Sequence, residues 1–169
     1  MKNYHKGFSL IELILYMGLT STLIAVMSQV FLATLSVRIE SEYTSSVQQD
    51  GRFIMARLGH DIRKAQAIIS PEIGVASSSM TLAILEGGVS QTYQYVVDGS
   101  QLSLVTASGA ALLHSDRTNI SNFSIRRLGN SATEEDGLDT ISIILDLIGN
   151  ADVESGQQTL HMQTTISQR

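Results

Sequence analysis

The stretch LILYMGLTSTLIAVMSQVFLATLSV, residues 13–37, runs for 25 positions without one charged side chain. At about 1.5 Å per helical residue it is long enough to cross the roughly 30 Å apolar core of a bilayer. No proline occurs anywhere before Pro71, so a helix begun here meets no backbone block until that residue. Outward toward the C terminus, Val47, Ile54, Leu58, Ile62, Ala65 and Ile69 recur at steps of seven, four, four, three and four, which places them on one face of a helix. The spacing predicts a continuous helix over residues 8–69, apolar all round through residue 37 and amphipathic from residue 38. Gly51 and Gly59 fall in the second part. Each costs about 1 kcal/mol relative to alanine, so local softness or close packing is expected there.

Beyond Pro71 the apolar period changes from 3.6 to 2, and 24 of the residues from 70 to 169 are Ser or Thr. Met80, Leu82 and Ile84 alternate with Thr81 and Ala83; Tyr93, Tyr95 and Val97 alternate with Gln94 and Val96. Asp98-Gly99-Ser100 then turns the chain into Leu102 and Leu104, a hairpin signal. Phe123 and Ile125, then Ile141 to Leu147, then Leu160, Met162 and Ile166 supply three more one-faced strands, separated by turns at Gly129-Asn130 and Gly149-Asn150. Gly87-Gly88 reads as another turn. The expected fold class is α+β: an antiparallel sheet in residues 70–169 whose buried face is covered by the amphipathic half of the helix, residues 38–69.

Composition limits what such a chain does. Charged residues make only 16% of the 169, and the net charge is −5, with Lys and Arg gathered no further than the pairs Arg63-Lys64 and Arg126-Arg127. Direct nucleic-acid binding by bulk charge is therefore not expected. The chain has no cysteine, which excludes disulfides, zinc–thiolate and iron–sulfur centres and a thiol nucleophile. His5, His60, His114 and His161 are scattered, with His161 on the exposed alternation of its strand, so no metal is expected. The acidic run Glu134-Glu135-Asp136-Gly137-Leu138-Asp139 lacks the spacing of a calcium loop and reads as a solvated turn. No G-x-S-x-G elbow and no phosphate-cradling glycine loop occurs, so neither a cofactor nor an enzymatic activity is expected.

The N terminus carries the most specific pattern. Residues 1–7 are basic through Lys2 and Lys6, and Lys6-Gly7-Phe8-Ser9-Leu10-Ile11-Glu12 opens the apolar segment. The segment is not followed by a small-residue cleavage site of the ordinary secretory kind. Glu12 is an ionisable group at the start of an otherwise apolar span, where a charge is costly and is usually answered by a partner. This run resembles the processing motif of type IV prepilins and type II secretion pseudopilins. Gly51-Arg52-Phe53 and Leu58-Gly59-His60-Asp61-Ile62-Arg63-Lys64-Ala65 further resemble W-type minor pilins and J-type pseudopilins.

The resemblance implies that a prepilin peptidase removes residues 1–7 by cutting between Gly7 and Phe8, and that Phe8 becomes N-methylated. It implies that residues 8–37 rest in membrane lipid of the inner membrane, leader in the cytoplasm and head outside, before packing with other pilin or pseudopilin subunits. Glu12 would there pair with the amine of a neighbouring subunit's first residue. Two departures favour a minor over a major subunit: no cysteine pair near the C terminus and no proline in the apolar helix. The alternative reading is a membrane-anchored β-rich binding module or enzyme outside the cytoplasm that uses residues 8–37 only as a tether.

Overall fold

A computed structural model describes residues 9–129, 139–150 and 158–168. One helix, α1 (Leu10–Lys64), precedes nine strands: β1 (Ala65–Ser70), β2 (Ala76–Ser77), β3 (Ser79–Glu86), β4 (Val89–Asp98), β5 (Gln101–Thr106), β6 (Gly109–Leu112), β7 (Thr118–Leu128), β8 (Thr140–Gly149) and β9 (Thr159–Ser167). Helix on antiparallel sheet is the α+β arrangement that the sequence predicts. The chain divides into two units at Ser41/Glu42. The first holds the apolar part of α1; the second, the head, holds the rest of α1 and every strand.

The 55 residues of α1 are unbroken, with Glu12 in the first turn and Arg63 and Lys64 in the last, charges that complement the helix dipole. The helix ends at Lys64 and not at residue 69 as its apolar spacing predicts. Residues 65–70 instead form β1, antiparallel to β3, with Ala67 opposite Ala83 and Ile68 opposite Leu82. The physical difference is which isoleucine the core takes. A continuing helix would bury Ile69, whereas the strand buries Ile68 and leaves Ile69 58% exposed. Two adjacent β-branched residues favour the extended backbone, and the β3 ladder satisfies the groups a further helical turn would have used.

Two sheets form where one was expected. Five strands run in the order β1-β3-β4-β5-β6 and four in the order β2-β7-β8-β9. The connection after β6 separates them: Leu113 is buried and bonds back to Leu102 of β5, and Ile120 of β7 donates to the Ser100 carbonyl at 2.8 Å. The expected hairpins are present. Gly87 and Gly88, at φ of +60° and +86°, close β3 onto β4 with Glu86 opposite Val89, a turn whose two positive φ values glycine adopts freely.

The head half of α1 serves both sheets. Ile54, Leu58 and Ile62 are fully buried, as are Met80, Leu82, Ile84 and Leu102 of the five-stranded sheet and Ile125, Ile141, Ile143 and Leu145 of the four-stranded one. Of the two glycine readings, close packing holds at Gly51. A Cβ there would lie 2.8 Å from Leu147 Cδ1 and Met162 Sδ and 2.9 Å from Leu160 Cδ2, while at Gly18 it would meet nothing within 4 Å. Gly51→Val is therefore expected to destabilise the head by about 1–3 kcal/mol through overpacking. Chemical denaturation of the full chain in detergent measures it; unchanged stability would mean that α1 has room to lift from β8 and β9.

Candidate functional site

The apolar part of α1 is exposed throughout: every residue from 9 to 39 is open, including Leu10 at 75% and Phe31 at 64%. It belongs to a helix long and apolar enough to cross a membrane. Its polar residues do not contradict that. The hydroxyls of Ser21 and Thr22 donate to the Gly18 carbonyl, that of Ser28 to Ile24, that of Thr34 to Val30 and that of Ser36 to Ala33, all at 2.8–2.9 Å. A hydroxyl bonded to its own helix needs no water, so these five positions behave as apolar surface.

Glu12 stands apart from this pattern. It is the one ionisable carboxylate of residues 10–37, it lies on the exposed first turn, and it makes no ion pair among the described residues. Gly7 and Phe8, the expected processing junction, lie outside the described residues, as do the rest of the leader and residues 134–138 of the acidic run. Asp139, the last residue of that run, is described: its carboxylate takes a hydrogen bond from Arg127 Nη2 at 2.6 Å, and Arg127 Nη1 donates to the Ile68 carbonyl. The described part of the acidic run thus ties β1, β7 and the start of β8 together.

Three side-chain clusters missed in the sequence tie the second half of α1 to the strands and to the connection between sheets. Asp61, 2% exposed, accepts hydrogen bonds from Tyr95 Oη at 2.5 Å and from Arg57 Nε at 2.9 Å. Burial first, and then the adjacent carboxylate, push the Tyr95 hydroxyl well above the ordinary tyrosine range. For Arg57 burial pulls the pKa down, and the bond and charge of Asp61 outweigh it. A turn further on, Lys64 and Tyr93 both bond Glu86, whose pKa is lowered by the Tyr93 bond first and the Lys64 bond second. On the other sheet's side, Asp50 accepts from the Ser115 amide and hydroxyl at 3.0 and 2.7 Å, anchoring the connection between sheets. One signal was present: Asp61 follows Ile54 by seven residues and Leu58 by three, so it lies on the apolar stripe and needs donors there.

The histidines serve separate partners. His114 Nδ1 contacts the Ser115 carbonyl, and His161 pairs with Asp146, whose carboxylate is held below its usual range first by the Asn122 side-chain amide and then by His161. No three of His, Cys, Asp and Glu gather in a way that would hold a metal among the described residues. These arrangements hold elements of the head together.

Comparison with protein-family models, with curated proteins and with solved structures finds no match for this chain. The functional reading therefore rests on the residues themselves. They form an exposed apolar helix with one carboxylate near its start, carried by a head that grips the other half of the same helix.

Proposed function

We propose that this chain is a minor pilin or pseudopilin subunit, assembled into a type IV pilus, a type II secretion pseudopilus or a related DNA-uptake filament. Prepilin peptidase cuts between Gly7 and Phe8, Phe8 is methylated, and the helix waits in the inner membrane with its head outside. The weak positive charge of Lys2 and Lys6 supports a cytoplasmic leader. The observation that carries the reading is Glu12: a lone carboxylate on an exposed apolar helix, four residues beyond the Gly7-Phe8 junction.

Its chemistry supplies the reason for assembly. An α-amino group has a reference pKa of about 7.7–8.0 and is mostly protonated at neutral pH. In an apolar filament core its attraction to the Glu12 carboxylate is poorly screened, while the flanking leucines, isoleucines and phenylalanine pack as a continuous apolar surface. Cleavage that leaves the helix on the product fits this role, because the amine exists only after Gly7 is gone. A tether alone would need neither the junction nor the carboxylate.

Cells with an inactive prepilin peptidase provide the test. The chain is expected to remain in the membrane fraction and to be missing from the filament fraction sheared off the cells. Its recovery in that fraction without the peptidase would contradict the proposal.

A further inference from the structure

The four-stranded sheet ends on β9, and the bonding of that strand shows which of its backbone groups are open. Gly149 N–H donates to the Gln158 carbonyl at 2.9 Å and Gln168 N–H to the Asp139 carbonyl at 2.8 Å. Both pairs continue the register that runs from Thr140 opposite Ser167 to Ile148 opposite Thr159. Antiparallel ladders alternate bonded and non-bonded pairs. Leu160, Met162, Thr164 and Ile166 therefore turn their N–H and C=O groups toward β8, and Thr159, His161, Gln163, Thr165 and Ser167 turn theirs to the open side.

Natural sheets protect such edges by short length, bulges, proline or charge. The other edges of this head follow the rule: β2 has two residues, β6 has four, and β1 carries two register shifts. The nine residues of β9 contain no Lys, Arg, Asp, Glu, Pro or Gly, and their pairing with β8 shows no shift. This edge alone is regular and undefended among the described strands.

Beside it, Gln48 and Arg52 of α1 line a groove with Leu160, His161, Met162 and Gln163. Arg52 is exposed and makes no ion pair among the described residues. A strand added along β9 would point alternate side chains toward α1, and those opposite Leu160 or Met162 would meet Arg52. None of the edge strands β1, β2, β6 and β9 contains an Asp or Glu, so the edge of a second copy cannot answer that charge.

We infer that β9 is a docking edge for an extended segment of a different protein chain, one that adds a strand to the sheet and sets an acidic side chain against Arg52. Main-chain bonds to Thr159–Ser167 supply affinity and the carboxylate supplies selectivity. The inference stands apart from the processing chemistry, since it concerns only the head.

The test uses the full chain in detergent micelles and capped peptides of β9's length that alternate Thr and Val, with Glu or Lys replacing the central Val. In the chain alone the amides of His161, Gln163 and Thr165 are expected to exchange hydrogen much faster than those of Leu160, Met162 and Thr164. The Glu peptide should protect the first set, and it should bind about tenfold more tightly than the Lys peptide, a margin that Arg52→Glu reverses. Gln163→Pro, which removes only an outward donor, should abolish binding while hydrogen exchange of the β8-facing amides stays slow. Arg52→Glu alters no ladder bond and keeps the test valid if the proline variant misfolds. Outward amides already protected without peptide, protection that grows with protein concentration through self-pairing, or equal binding of the two peptides would each overturn the inference.

Discussion

Glu12→Val is expected to leave insertion of the helix into membranes intact and to lower recovery of the chain in sheared filaments by about tenfold or more. The direction follows from what each state asks of the side chain. In lipid a carboxylate near the start of the span is a cost, and valine removes it, so insertion is at least as favourable. In the proposed filament the same carboxylate faces a neighbour's amine, and close charge pairs at interfaces couple by about 1.5–7 kcal/mol. Losing even the smallest such coupling corresponds to a factor of about ten. The apolar contacts along residues 13–37 are untouched by the change, so any deficit belongs to the pair. Normal filament recovery of the Glu12→Val chain would remove the assembly role assigned to this residue. Reduced insertion would indicate that Glu12 serves the membrane step instead.

The second large effect lies in the head. Asp61→Ala is expected to cost about 3 kcal/mol of head stability, measured by denaturation of the full chain in detergent. Its main source is the Tyr95 hydroxyl, which is fully buried and would lose the acceptor that now lies 2.5 Å away. Arg57 adds less, because its side chain is 39% exposed and can turn to water. Pairing Asp61→Leu with Tyr95→Phe should recover most of the loss, since removing both partners leaves no orphaned group. A loss no larger than a surface substitution's would show that the buried bond does not anchor α1 to the five-stranded sheet.

How far the residues foretell this structure depends on how local the controlling interaction is. The apolar half of α1 is legible from a run of uncharged residues, and most strands from alternation, because both patterns are set by near neighbours. The end of α1 is not. Ala65 is buried in a helix and in a strand alike, and the choice falls at Ile68 and Ile69, where Ile68 and Ser70 pair with Leu82 and Thr81 of β3, beyond the reach of helical neighbours. The split into two sheets depends on the contacts of Leu113 and Ser115, which belong to no periodic segment. Asp61 and Tyr95 are 34 residues apart. Their pairing is a property of the packed head, although an acid on the apolar stripe signalled that some donor must exist. Gly51 stood between softness and close packing until Leu147, Leu160 and Met162 closed around it. For the proposed assembly site the position is reversed: the Gly7-Phe8 junction and Glu12 are plain in the sequence, while the partners proposed for them would belong to other molecules.

Maturation of this chain into a filament subunit is decided by the intact mass and N-terminal sequence of the protein purified from cells with an active prepilin peptidase. The expected product is a chain that begins at Phe8, lacks residues 1–7 and carries one added methyl group on its terminal amine. A protein that still begins with the Met1–Gly7 leader, or one cut beyond residue 37 so that the apolar helix is lost, would contradict it.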